Sequence, residues 1–256
     1  MTDHTESVPL SLGRLDLEAH LSDPEQKQRF VTPMFEIIAP RYDLFTRAFS
    51  YGMDRRWKAE VLRALDGRVP SDGTVLDLAC GTGDLAYGAS TYVPAGRVIG
   101  IDLAPTMLEI AERRRGAEHS RVTFRLGDMC DTELADDSVD AVTAGYALRN
   151  APNYAAALSE IHRVLRPGGC LVSLDFYRPR SRLWRSLFLS YLTAAGNCVG
   201  WMWHGEGVVY GYIARSIDHF VSYEGFSGAL EVQGFAVERV RRKLLGGVAL
   251  HVARKL

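Results

Sequence analysis

Val75-Leu76-Asp77-Leu78-Ala79-Cys80-Gly81-Thr82-Gly83-Asp84 (VLDLACGTGD) is the stretch that decides the fold. Its first half is a short apolar run of strand length, read as Thr74–Ala79. Asp84 then opens a run read as a helix, Asp84–Tyr92. A strand that passes through a glycine turn straight into a helix is the first half of a βαβ unit. Glycines at 81 and 83 take side chains away from the strand end, so backbone can meet a ligand there, and they permit positive φ. The same rhythm continues outward. Arg97–Ile101, Val122–Leu126, Val139–Ala144 and Cys170–Phe176 read as strands, and Pro105–Arg115 as a helix with proline in its first turn. Tyr154–Leu165 is amphipathic, with Tyr154, Leu158, Ile161 and Leu165 on one face, and Pro167-Gly168-Gly169 is read as its stop. Strands alternating with helices predict an α/β fold around a parallel sheet covered on both faces. Ser222–Gln233 reads as a last sheet-packing helix, and Phe235–Arg241 and Val248–Ala253 as a closing hairpin joined across Gly246-Gly247. That makes seven strands, mostly parallel, with an antiparallel C-terminal pair.

The flanks divide the chain further. Residues 1–20 read as loose, and Ser22-Asp23-Pro24-Glu25 as a helix start with a capping residue, an early proline and an acid at the positive helix end. Interruptions at Pro33 and Pro40 and a helix over Arg55–Leu65 complete an N-terminal tail and helical cap, 1–70, ahead of a main domain, 71–256. Within that domain, residues 180–220 form an aromatic-rich helical insertion. At 256 residues, 47% hydrophobic and 24% charged, the chain has the composition of a soluble globular protein. A net charge of −1 argues against nucleic acid as a partner. Cys80, Cys130, Cys170 and Cys198 are widely spaced, which argues against a disulfide framework or a zinc site and for a reducing cytoplasm. The polar first thirty residues do not read as a signal peptide, and no apolar run suffices to span a bilayer.

Ligands of open parallel sheets bind beyond the carboxyl ends of the strands, where the topology switches. The glycine loop sits at such an end. Asp102, at the end of the second strand, is placed to accept both ribose hydroxyls of a nucleoside ligand. Asp128, after the third strand, is placed for an adenine amino group, with Met129 donating its backbone N–H. A dinucleotide fingerprint is GxGxxG, whereas GTGDLA from Gly81 fits only the permissive GxGxxA form. Asp77 and Asp84 suit a cationic ligand better than a pyrophosphate, so the expected cofactor is S-adenosyl-L-methionine. Leu103, Met107 and Tyr146 are further expected cofactor contacts, with Asp77, Gly81, Thr82 and Gly83. The plainer alternatives are that Asp84 is only a helix N-terminal acid and Asp128 only a turn residue.

Five further stretches occur in order: Phe35–Lys58 (FEIIAPRYDLFTRAFSYGMDRRWK), Tyr146–Asn150 (YALRN), Val164–Gly169 (VLRPGG), Tyr210–Phe220 (YGYIARSIDHF) and Leu244–Leu256 (LLGGVALHVARKL). With the glycine loop they resemble the ubiquinone/menaquinone biosynthesis C-methyltransferases over residues 30–256. VLRPGG is common to many methyltransferases, while the combination of the first stretch, LRN and GGVALH is the specific part. The resemblance implies a class I methyltransferase (Rossmann-like) fold, and metal-free methylation of a ring carbon of a prenylated quinol. Carried over by position, cofactor contacts fall on Thr82, Asp102, Asp128, Met129 and Gly145. Several positions depart from the family pattern: Gly145 replaces a serine, Tyr146-Ala147 replaces Phe-Gly, and Asp175 lies in a changed LDFY segment. Thr132–Asp137 lacks the usual Leu-Pro-Phe, and Trp201, Trp203, His204 and Tyr210 form an unusual aromatic cluster.

Carbon methylation of a quinol needs a donor or a cation beside the developing phenolate oxygen. Arg149 is the first candidate and Asn150 the second, the plainer reading being that Arg149 pairs with an acid such as Asp175. His204, with Glu206 nearby, is a candidate to take up the ring proton. Tyr42 is expected over the sulfonium face, and Trp201, Trp203, Tyr210 and Asp175 on the substrate side. Arg178, Arg180, Arg182 and Arg185 are placed to rest on anionic lipid, or form only a solvated face. The expected partner is a small lipophilic acceptor, with peripheral contact to the inner face of a membrane and a homodimer left open. Two rivals are a methyltransferase of the same fold for a natural-product phenol, amine or prenyl/alkene acceptor, and a non-catalytic cofactor-binding scaffold.

Overall fold

A computed structural model describes residues 31, 33–36, 38, 39, 46, 50, 52–204 and 208–256, with backbone alone at 198–204 and 208–211. The predicted loose tail and the helix start at Ser22 lie outside the described residues. Helix α1 (Asp54–Arg63) is followed by β1 (Thr74–Leu78), every residue of which is buried. The chain turns through the glycine loop into α2 (Asp84–Ser90), whose N-cap, Gly83, sits at φ 87°. β2 (Arg97–Asp102), α3 (Pro105–Arg113) and β3 (Val122–Leu126) complete one half of the sheet. β4 (Val139–Gly145), a 3-10 turn (Leu148–Asn150), α4 (Tyr154–Val164) and β5 (Leu165–Phe176) begin the other half. Asn153 fixes the start of α4, its side chain accepting from the backbone N–H groups of Ala155 and Ala156. The insertion is two helices, α5 (Arg182–His204) and α6 (Val208–His219). Helix α7 (Tyr223–Val232), capped by Ser222, leads into β6 (Phe235–Lys243) and β7 (Val248–Lys255).

The strand order is β3-β2-β1-β4-β5-β7-β6. β1 lies parallel to both β2 and β4, and β7 runs antiparallel between β5 and β6. The seven-stranded, mostly parallel sheet with an antiparallel C-terminal pair is therefore as expected. Because the order reverses at β1, the crevice beyond its carboxyl end is where a ligand can enter. One core packs α1 and α2 with residues such as Trp57, Val61, Leu85 and Tyr87 on one face of the sheet. A second packs α4 and α7 on the other face, with Leu158, Ile161, Phe226 and Leu230.

One predicted boundary needs correction. Pro167-Gly168-Gly169 was expected to separate helix from strand, but β5 starts at Leu165, directly after α4. Val139 pairs with Leu165 and Ala141 with Cys170, so residues 166–169 bulge out between two paired positions. Gly168, at φ 81°, supplies the left-handed backbone that such a bulge requires. The hairpin joins through a 3-10 turn, Leu244–Gly246, and each strand runs two residues past its predicted C-terminal end.

Candidate active site

Three strand ends and one strained turn enclose the site. Beyond β1, Gly81 takes φ 54° and donates its N–H to Asp102 Oδ2 at 2.8 Å. The other oxygen of Asp102 accepts from Ala104 N at 2.9 Å, so the carboxylate is held rigidly at the end of β2. Burial raises the Asp102 carboxyl above its usual range, against the lowering effect of these backbone donors. Beyond β3, Asp128 Oδ1 accepts from Cys130 N at 2.8 Å, which sets the turn and keeps the residue in the wall. Beyond β4, Tyr146 adopts φ 59°, a left-handed conformation rare for a non-glycine residue. Its N–H donates to Leu174 O at 2.6 Å and its ring stacks on Phe176 with centroids 5.4 Å apart, so the strain is held from two sides.

These ends surround a cavity that opens to solvent. Of the expected cofactor residues, Gly81, Asp102, Leu103, Met107, Asp128, Met129, Gly145 and Tyr146 line it, as does Asn150 from the catalytic set. Val31, Phe35, Ala79, Ala104, Gly127 and Pro152 also line it and were not anticipated. Phe35 opens the first of the quoted family stretches and Pro152 follows LRN, so their place in the sequence was the available signal.

Several expected residues lie elsewhere. Thr82 is buried off the cavity, and its carbonyl accepts from Arg114 Nη1 at 2.8 Å. Gly83 does not line the cavity either. A Cβ there would stand 2.9 Å from both Phe124 Cζ and Tyr87 Cε2, so packing against these rings and a positive φ account for this glycine. Asp77 lies one layer behind the loop: Thr143 Oγ1 donates to its Oδ1 at 2.7 Å, while Oδ2 has no hydrogen-bond partner among the described residues. Burial pushes the Asp77 carboxyl up to about 7. Asp84 does not face a ligand, because Lys58 at 2.9 Å and Arg114 at 2.6 Å hold its two oxygens.

The largest revision concerns Arg149 and Asp175. Neither lines the cavity among the described residues, and both are buried. Asp175 Oδ2 accepts from the backbone N–H of Arg149 at 2.9 Å, and Oδ1 accepts from Phe176 N at 2.8 Å. The guanidinium Nε stands 3.4 Å from Asp175 Oδ1, its Nη1 donates to Ser216 Oγ, and its Cζ lies 5.9 Å from the Phe176 ring centre. The pair fixes the 3-10 turn from behind, so direct contact between Arg149 and an acceptor oxygen, or between Asp175 and substrate, is replaced by this structural ion pair. His251, in β7, is fully buried, with its Nε2 3.1 Å from Tyr223 O. Tyr42 and the side chains of Trp201, Trp203, His204 and Tyr210 lie outside the described residues. Among the described residues no group of three His, Cys, Asp or Glu side chains is arranged to hold a metal ion.

A parallel sheet that reverses at β1, closes with an antiparallel β7, and gathers an acid at the end of β2 beside a glycine turn is the arrangement of class I S-adenosylmethionine-dependent methyltransferases. A methyltransferase of that kind from Aquifex aeolicus superposes with a TM-score of 0.56 at 20% identity, over 78% of this chain and 89% of that one, a likeness of fold. More narrowly, the chain belongs to the ubiE/COQ5 methyltransferase family, whose model matches residues 23–255. It is 35% identical to the demethylmenaquinone methyltransferase of Symbiobacterium thermophilum, over 91% of this chain and 95% of that protein. It is 36% identical to the Thermus thermophilus protein of the same name, over 86% and 98%.

Proposed function

We propose that this enzyme transfers a methyl group from S-adenosylmethionine to a ring carbon of a prenylated quinol of the demethylmenaquinol kind. One observation chiefly supports the reading. A buried, neutral carboxamide, Asn150, stands in the wall of a mostly apolar cavity, in a family whose similar members are named demethylmenaquinone methyltransferase.

S-adenosylmethionine, when bound, supplies an electrophilic methyl group on a sulfonium. The cavity walls suit it. Gly81, Gly127 and Gly145 present backbone to it. Asp102 would hold the ribose, and Asp128 and the backbone of Met129 the adenine. The Asp77 carboxyl, behind the loop, favours a positive charge nearby. On the acceptor side, a ring hydroxyl that has lost its proton makes the adjacent carbon nucleophilic, and the oxyanion then needs a fixed donor. Asn150 Nδ2 is that donor, and Arg149 acts from behind by holding the turn that carries it.

The acceptor's tail belongs to a bilayer, and a peripheral contact is part of the proposal. Leu183 and Leu187 are 73% and 57% exposed on α5, with exposed Arg180 and Arg182 beside them. Apolar tips flanked by arginines suit the surface of an anionic membrane. No helix among the described residues is long and apolar enough to cross one. The test is incubation with methyl-labelled cofactor, a short-tailed demethylmenaquinol, a benzoquinol, and a panel of phenols, amines and prenyl diphosphates. Label on a quinol ring carbon is expected, with or without a chelator. Label on oxygen, nitrogen or a chain carbon, or no transfer to any quinol, overturns the reading.

A further inference from the structure

The turn that presents Asn150 is gripped from the helical insertion. Tyr212 and Ser216 are one helical turn apart on α6 and reach consecutive residues of the 3-10 turn. Tyr212 Oη donates to Asn150 Oδ1 at 3.3 Å, and Ser216 Oγ receives Arg149 Nη1. Asn150 Nδ2 donates to the Tyr146 carbonyl at 3.0 Å. A carboxamide has one acceptor oxygen and two N–H groups. With the oxygen engaged by Tyr212 and one N–H by Tyr146, the other N–H is what this side chain has left to offer the cavity it lines.

The opposite orientation of the amide would set its oxygen against the Tyr146 carbonyl oxygen. It would also face the cavity with an acceptor, the wrong polarity for an oxyanion. The Tyr146 carbonyl, which can only accept, therefore selects one orientation, and the Tyr212 hydroxyl holds it by donating to the oxygen that this orientation presents. Each is itself held: Tyr146 by its left-handed backbone and its stack on Phe176, Tyr212 by complete burial. Burial also pushes the Tyr212 phenol far above its ordinary range, so it remains a donor at any working pH.

We propose that Tyr212 is a positioning residue for catalysis, which locks the Asn150 carboxamide with an N–H turned toward the acceptor oxygen. This rests on the quinol methylation reading for the identity of that oxygen, though not for the orientation of the amide. It makes the insertion helix α6 part of the donor's construction, since the donor is correctly oriented only while α6 is seated.

The test combines kinetics on a short-tailed demethylmenaquinol with nitrogen-15 NMR of the Asn150 side-chain amide in the intact protein. Tyr212→Phe removes one hydroxyl and leaves Oδ1 without its partner; kcat should fall about tenfold while KM for each substrate stays within about twofold. Asn150→Asp should lower kcat about 100-fold at alkaline pH, with activity returning as the pH falls and the new carboxyl regains a proton to donate. Tyr212→Phe added to Asn150→Asp should cost nothing further. In the spectrum, the two amide protons of Asn150 should exchange slowly with solvent in the wild type, and exchange faster with shifted or broadened resonances in Tyr212→Phe. An unchanged amide signal in Tyr212→Phe overturns the proposal. So does a loss confined to KM, or a double variant whose losses multiply. If the wild type methylates no quinol, the quinol reading fails by itself, and the amide signal still decides the role of Tyr212.

Discussion

Asp77 offers the sharpest quantitative test of the site's electrostatics. The residue is next to last in a wholly buried strand, and burial pushes its carboxyl up to about 7 from 3.8, against the lowering effect of Thr143 and Lys58. A carboxyl whose pKa is raised on folding contributes its full stability below the unfolded value, and that stability is lost as pH rises through the folded value. Each pKa unit corresponds to about 1.4 kcal/mol, so ionising Asp77 costs the native state about 4 kcal/mol once the pH exceeds 7. Asp77→Asn keeps an acceptor for the Thr143 hydroxyl and does not titrate. Whatever fixed offset the amide introduces, the stability of the variant relative to wild type should grow by about 4 kcal/mol between roughly pH 4 and pH 8. Urea unfolding of both proteins across that range, without cofactor, measures the difference. A gap that stays constant with pH, or shrinks as pH rises, refutes the assignment of a neutral carboxyl. The same variant should bind S-adenosylmethionine more weakly above neutrality, because the negative charge behind the loop is gone.

Two further outcomes test the frame around the site. Burial lowers the His251 imidazole to about 4, so the native protein holds it neutral. Its stabilising contribution is complete above about pH 6.5 and is lost as pH falls toward the folded value, amounting to about 3 kcal/mol. His251→Gln should flatten that acid limb in melting curves, and an identical slope in both proteins counts against it. Arg149→Ala strands the Asp175 carboxyl in the interior and should cost about 3–5 kcal/mol of stability, with part regained by adding Asp175→Asn. Unchanged thermal stability in Arg149→Ala would remove the structural role given to the pair.

The sheet was readable because its signals are local. Apolar runs of strand length alternated with helical stretches, and the glycine turn after Val75–Ala79 placed the crevice. Where local punctuation has two structural outcomes, the reading slipped: Pro167-Gly168-Gly169 can end a helix or bulge a strand, and only pairing with β4 decides. The site showed the same division. Asp102, Asp128 and Met129 follow strand ends, so their nearness to a cavity follows from topology. The partners of Asp84 are Lys58 and Arg114, from elements on either side of it in the chain, and nothing in the loop announces them. For LRN, sequence names the residues but not which side of a short turn each occupies. The turn directs Asn150 to the cavity and Arg149 into the protein. Tyr212 was passed over for Tyr210, although its four-residue spacing from Ser216 was visible in YGYIARSIDHF.

β7 lies between β5 and β6, paired with Cys170–Phe176 on one side and with Phe235–Lys243 on the other. During synthesis, the whole parallel half of the sheet emerges before the strand that covers the open edge of β5. Until Val248–Arg254 clear the ribosome, that edge is a row of unpaired backbone groups. Completion of this sheet therefore waits for the strand that follows all its others in sequence. The interval before it is when the protein is most exposed to pairing with a neighbour's strand, and most dependent on whatever shields nascent chains in the cell.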